Sequence, residues 1–179
     1  MTNRTRPLLH VVLHEPEIPN NTGNIGRTCV ALECAMHLIH PLGFDLDEKA
    51  CRRAGLDYWP RLDLHEHDSL GDYLETHAEA DKAGRIWALS TRGRRPVWEA
   101  EFAPGDHLLF GKETSGLPGE VLEGLGDDRV LTLPMVPTER SLNLATAVCA
   151  VAYEAVRQLV GSGRVGLDAQ GRLEVEREK

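Results

Sequence analysis

The 179-residue sequence is poor in cysteine, in aromatic side chains and in positive charge, and each shortage excludes something. Its four cysteines, Cys29, Cys34, Cys51 and Cys149, contain no CxxC pair. That removes the usual spacing of structural zinc and dithiol redox motifs and leaves reduced, mostly buried thiols. Aromatic residues make up only 5%, and Trp59, Trp87 and Trp98 read as core or interface anchors rather than base-stacking platforms. The first apolar stretch, Leu8–Leu13, is short and interrupted by His10 and His14, so it cannot serve as a signal-peptide core. With no exit signal and no disulfide pattern, the expected compartment is the cytoplasm.

What is present describes a folded domain. Hydrophobic residues at 41% and charged residues at 27% match globular averages and remove compositional support for disorder or a membrane span. The length suits one domain over residues 1–160 followed by a charged tail, 161–179. The net charge of −8 argues against a nucleic-acid partner if it is spread evenly. It is not. Residues 62–81 carry seven acids and no lysine or arginine, and the remainder holds 20 basic against 21 acidic residues, or −1. A basic patch elsewhere is therefore compatible with the total.

Periodicity predicts alternating strands and helices. Strands are expected at Leu8–Leu13, Met36–His40, Arg85–Thr91, His107–Phe110 and Val130–Leu133. Helices are expected at Thr22–Cys34, at Asp45–Gly55 with Arg52 and Arg53 near its end, and at 69–80 with Ser69 as N-cap. The last helix, Leu142–Val160, is apolar or small on nearly every side, so something must cover its second face, most simply the same helix of a second copy. The alternation predicts an α/β fold, a mainly parallel sheet with helices on both faces. Ligands in such sheets sit beyond the carboxyl ends of the strands, which singles out the loops after Leu13, Leu89, Phe110 and Leu133.

Three constellations occupy those loops. The stretch from Pro16 to Arg27 sets three asparagines, glycine and an arginine at a helix start, suited to an anion site but also to a plain strand–helix turn. Next, LLFGKETSGLP (108–118) ends a buried strand at Gly111 and puts Glu113 where a charge needs water or a partner; without Walker spacing it also fits an ordinary capped turn. In LTLPMVPTERSLNLA (131–145), Ser141 offers an N-cap, and Asn143 needs a polar partner in an apolar helix. The eight histidines contain no HExxH and no tight triplet with a carboxylate. His65 and His67 are expected on a solvated acidic face, and no metal site is expected.

Together and in this order, NTGNIGR, LLFGKETSGLP and LTLPM…RSLNLATAV resemble the motifs of the SPOUT superfamily of S-adenosylmethionine-dependent RNA methyltransferases. LHEPEIPNNTGNIGR, HPLGFDLDEKACRRAGLDYW and SLNLATAVCAVAYEAVRQL closely resemble the small tRNA wobble-nucleotide 2′-O-methyltransferases of the TrmL (YibK-like) type, over roughly Leu8–Leu159. The resemblance implies a deep C-terminal trefoil knot and a homodimer through the last helix. It also implies methyl transfer to the ribose 2′-hydroxyl of the pyrimidine at the first anticodon position of tRNA, leaving S-adenosylhomocysteine.

Carried over by motif, the cofactor contacts are Leu89, Gly111, Leu133 and Ser141. The family gives the 2′-hydroxyl's activation to the arginine of the first motif, here Arg27, with Asn20 and Glu113 to hold it and Asn143 beside them. Since a guanidinium has a pKa above about 12, Arg27 suits orientation of ribose or phosphate and stabilisation of developing negative charge better than base catalysis. Where relatives carry two prolines, this chain has Pro19-Asn20-Asn21. With no appended RNA-binding domain, Arg4, Arg6, Arg52, Arg53, Arg92, Arg94 and Arg95 are the candidates to hold tRNA. Competing readings are a related enzyme acting on another tRNA or rRNA ribose, a non-catalytic RNA-binding module, and a flavodoxin-like nucleotide-binding domain.

Overall fold

A computed structural model describes residues 6–46 and 57–174. Seven strands form one sheet in which every pairing is parallel. The first part of the chain runs β1 (Leu9–His14), α1 (Pro19–Leu32), β2 (Ala35–Ile39), β3 (Asp63–His67), α2 (Leu70–Thr76) and α3 (Ala78–Lys82). There follow β4 (Ile86–Leu89), β5 (Arg95–Pro96), β6 (Asp106–Phe110), α4 (Gly119–Leu125), β7 (Val130–Thr132) and α5 (Leu144–Gly161). Across the sheet the order is β3-β2-β1-β6-β4-β7-β5. The expected parallel architecture is therefore present, and its direction of winding reverses between β1 and β6.

Strand alternation divides the core in two. Leu9, Val11 and Leu13 of β1, Met36 and Leu38 of β2, and Leu108 and Phe110 of β6 pack beneath α1 and α5. Val12, Ile39, Ile86 and Leu109 face the other way, toward Tyr73 of α2 and Leu122 of α4. One charged group is buried on this frame. Asp106 accepts from Arg85 Nε at 2.5 Å, from Arg85 Nη2, from Trp87 Nε1 at 2.8 Å and from Ala103 N at 3.0 Å. Four donors offset the cost of removing that carboxylate from water.

Several boundaries differ from expectation for identifiable reasons. Helix α1 begins at Pro19, in the segment expected to be a loop, because proline is pre-organised for the first helical position. Strand β3 lies inside the acidic block: it is an edge strand whose polar residues hide its period. The helix expected over 69–80 is two short helices meeting at His77, with Ser69 Oγ accepting from Asp72 N as N-cap. The last helix is capped by Asn143, whose side chain accepts from Thr146 N, and not by Ser141. The expected helix at Asp45–Gly55, with Arg52 and Arg53, and Arg4 and Cys51 lie largely or wholly outside the described residues.

The tail is more organised than a charged extension. Gly166–Leu167 and Leu173–Glu174 pair as an antiparallel hairpin, closed by Asp168 with Arg172, and Val165 and Leu173 pack against the core. Helix α5 buries Val148, Val151, Ala152, Ala155, Val156 and Leu159, while Tyr153 stays 52% exposed. Its 18 residues, with mean hydropathy 1.2, are long and apolar enough to cross a bilayer by length and composition. Here that composition serves packing on α1 on one side and leaves the other side open.

The histidines depart most from expectation. His10, His37, His65, His67 and His107 all project from β1, β2, β3 and β6 onto the α2 face, where His77 and Tyr73 meet them. His10 stacks on His107 at 4.1 Å, and His10 Nδ1 and His37 Nδ1 lie 2.9 Å from His37 Nε2 and His67 Nε2 respectively. His65 is exposed and paired with Asp63, as a solvated face requires, whereas His67 turns inward. Sequence spacing could not reveal this, because the rings come from five separate elements.

Candidate functional site

Strands β6, β4 and β7 are neighbours, so the loops leaving their carboxyl ends meet. Between those loops and the start of α5 lies a cavity of about 560 Å³. Leu89, Gly111, Leu133 and Ser141, carried over by motif from the resemblance, all line it, as do Glu113 and Asn143. Ser90, Thr91, Leu117, Met135, Arg140, Leu144 and Ala147 complete much of its wall, and sequence reasoning passed over them.

The loops are shaped by close backbone contacts. A Cβ at Gly111 would fall 2.1 Å from the Gly116 carbonyl carbon, because residues 112–116 fold back in an antiparallel bridge between Lys112 and Gly116. Glycine is needed there for that turn. A Cβ at Gly93 would fall 2.8 Å from Leu131 backbone atoms, so the arch from β4 to β5 lies directly on β7. Ser90 N donates to Leu131 O at 2.9 Å across the same crossing.

Helix α1 enters the site without a side-chain cap of its own and with no acid in its first turn. Glu113, from a distant loop, brings a carboxylate to that end of the helix. Its carboxylate accepts from Glu17 N at 2.8 Å, from Ile18 N at 3.3 Å and from Asn21 Nδ2 at 3.0 Å. Asn21 Oδ1 in turn accepts from Asn143 Nδ2 at 2.9 Å. Thr114 returns the contact by donating its N at 3.0 Å and its Oγ1 at 2.8 Å to the Glu17 carboxylate, and Lys112 pairs with Glu15. That pairing, foremost through its hydrogen bond, holds the Lys112 pKa above its ordinary value. At the end of β1, burial pushes the His14 pKa down, and Lys112 adds to the effect while Glu15 opposes it.

Asn20 does not enter this network. Asn20, Asn24 and Arg27 recur at helical spacing on the exposed face of α1, while Asn21 lies with Ile25, Cys29 and Leu32 on the buried one. Starting the helix at Pro19 moves the polar role to Asn21, a residue the sequence reading missed. Arg27 is outside the cavity. Its guanidinium is 4.5 Å above the Tyr58 ring and 3.7 Å from Asp57, and its side chain is 61% exposed. The structure therefore does not join Arg27 to Glu113: Glu113 contacts the start of α1, and Arg27 lies about two turns further along the helix. Arg92 and Arg94 are exposed on the β4–β5 arch, whereas Arg95 donates to the Asp128 and Glu99 carbonyls.

Comparison with known proteins bears on this site. The model of the SpoU rRNA Methylase family matches residues 8–153. A tRNA (cytidine(34)-2′-O)-methyltransferase of Saccharophagus degradans is 47% identical over 156 residues, 87% of this chain and 99% of the relative. A solved structure described as giving insights into the 2-OH methylation of C/U34 on tRNA superposes with a TM-score of 0.77 at 50% identity, covering 87% of this chain and 98% of that one. The SpoU methyltransferase AviRb from Streptomyces viridochromogenes, in complex with AdoMet, superposes with a TM-score of 0.73 at 27% identity, covering 89% of this chain and 64% of that one.

Proposed function

Because this chain belongs to the SpoU rRNA Methylase family, we propose that it is a tRNA 2′-O-methyltransferase, using S-adenosylmethionine to methylate the ribose of the pyrimidine at the first anticodon position. The observation that carries the reading is the convergence of Leu89, Gly111, Leu133 and Ser141 on one cavity in a chain that aligns with nearly the whole of a wobble-cytidine methyltransferase.

The cavity suits the cofactor on its own chemistry. Its volume is in the roughly 300–1,000 Å³ range of small-molecule sites. Leu89, Leu117, Leu133, Leu144 and Ala147 offer apolar surface to a purine. The backbone of the loops at Leu89, Gly111 and Leu133 offers the amides and carbonyls that read a purine edge. The Ser90, Thr91 and Ser141 hydroxyls suit a ribose, and Arg140 suits the carboxylate of an amino acid end. When bound, S-adenosylmethionine supplies an electrophilic methyl group on a sulfonium and departs as S-adenosylhomocysteine.

The protein's own residues provide position and charge. The chain Glu113–Asn21–Asn143 fixes the starts of α1 and α5 relative to the loop after β6, which holds the reacting groups in line. Arg27, exposed and braced by Tyr58, is placed to hold the ribose or its phosphate and to stabilise negative charge on the 2′-oxygen. Asn20 and Asn24 flank Arg27 on the same face and suit contacts to RNA. The exposed Arg92 and Arg94 extend the basic surface, and the acidic residues of β3 and α2 belong to the opposite half of the sheet.

The active form is a homodimer through α5, a reading supported by the uncovered side of that helix around Tyr153 and by exposed Leu142 and Val136 nearby. The chain leaving β7 is threaded as a trefoil knot. In support, β7 lies between the consecutive strands β4 and β5, so the arch at Gly93 spans it. A tRNA substrate is in keeping with the expected cytoplasmic location. Incubation with labelled S-adenosylmethionine and total tRNA, followed by mass-spectrometric mapping, should place the label on the ribose of the wobble pyrimidine. Label on a base, or on rRNA only, overturns the assignment.

A further inference from the structure

The α2 face of the sheet carries a feature that methyl transfer does not use. His37 of β2, His67 at the end of β3 and His77 at the α2–α3 junction each offer a ring nitrogen, and the three nitrogens lie within 4.8 Å of one another. None of the three lines the cofactor cavity.

We infer that His37, His67 and His77 form a binding site for a divalent transition metal of the zinc class, clasping the β3 edge and the α2–α3 junction to β2. Zinc bonds imidazole nitrogen at about 2.0–2.1 Å in tetrahedral sites, which sets ligand nitrogens about 3.3 Å apart. His37 Nδ1 and His67 Nε2, at 2.9 Å, already approach each other to that scale. The half-buried rings of His67 and His77 end a strand and a short helix, where side chains can close the remaining distance.

Two surrounding features favour a cation there. The second ring nitrogen of His37 meets His10 Nδ1 at 2.9 Å, the outer contact that fixes the orientation of a ligating imidazole. Of the seven acids of residues 62–81, Glu66, Glu79 and Asp81 pair with His40, Lys82 and Arg129, while Asp68 and Asp72 lie close to His67 in the chain and offset positive charge there. Three nitrogen ligands leave a fourth position for water, and nitrogen donors select zinc, copper or nickel over magnesium and calcium.

The test uses the untagged full chain, stripped with chelator and equilibrated with zinc chloride alone. Elemental analysis should find one zinc per chain, and cobalt in its place should give the visible absorption of a tetrahedral site. His67→Gln and His77→Gln should each weaken zinc binding by at least about 100-fold, His10→Asn by about 10–100-fold, and His65→Gln and His40→Gln by less than twofold. Circular dichroism of the zinc-free variants checks that each is folded. Absence of bound zinc in the native chain overturns the proposal. So does zinc that persists in the His67→Gln, His77→Gln double variant, or that follows His65 and Asp63 instead.

Discussion

Replacing Glu113 by alanine tests how the site is held together. Its carboxylate makes two short bonds, to Asn21 Nδ2 at 3.0 Å and Glu17 N at 2.8 Å, and a longer one to Ile18 N. Hydrogen bonds to a charged partner contribute about 1.5–3 kcal/mol each. The Asn21 bond counts nearly in full, at about 2 kcal/mol, because that side chain is 6% exposed and cannot turn to water. The Glu17 amide is nearer solvent and regains about half of its loss, leaving about 1 kcal/mol. E113A should therefore be about 3 kcal/mol less stable, a shift of about 1.5 M in the urea midpoint for a slope near 2 kcal/mol/M. Unfolding followed by circular dichroism at fixed protein concentration measures it. Asn21→Ala combined with E113A should fall short of additivity by at least about 1 kcal/mol, since both remove one bond. A loss below about 0.5 kcal/mol with strict additivity would refute the claim that Glu113 braces the start of α1 through Asn21.

The remaining predictions concern other parts of the molecule. Arg27→Ala should lower turnover by at least about 100-fold while calorimetry shows S-adenosylmethionine affinity nearly unchanged; a collapse of that affinity would assign Arg27 to the cofactor. Gly111→Ala should abolish cofactor binding and lower the melting temperature, because its Cβ would lie 2.1 Å from backbone that cannot yield. With chelator present, stability should fall as pH drops from about 6.5 toward about 4. His10 and His107 have folded pKa values lowered to about 4 and about 3, by burial first and then by histidine neighbours. The unfolded chain therefore takes up protons in that window that the folded chain refuses, at about 1.4 kcal/mol per pH unit for each histidine. Urea midpoints independent of pH across the window would contradict the buried neutral stack.

The sheet and its ligand end were legible because parallel strands buried on both faces leave continuous apolar runs, as at Leu108–Phe110 and Val130–Leu131. Strand β3 was not, since an edge strand with Asp63, His65 and Glu66 exposed carries no such run. Choosing Asn20 over Asn21 was a phase error of one residue, about 100° around a helix, and Pro19 was the available signal. Ser141 was taken for the cap because serine and asparagine are equivalent caps on propensity alone; Asn143 takes the role by also reaching Asn21. The histidine stack required knowledge of strand register, which single-element periodicity does not contain.

The link from Glu113 to Asn21 spans 92 residues of chain, and the link from Asn21 to Asn143 spans 122. During synthesis, then, the catalytic pocket cannot be completed until the start of α5 has left the ribosome. Its assembly is among the latest events of folding, and contacts this distant in sequence make it slow. An interrupted chain would expose the apolar underside of α1 and the unfilled loop ends for as long as α5 is missing. Catalytic competence and protection from aggregation are thus acquired in a single docking step.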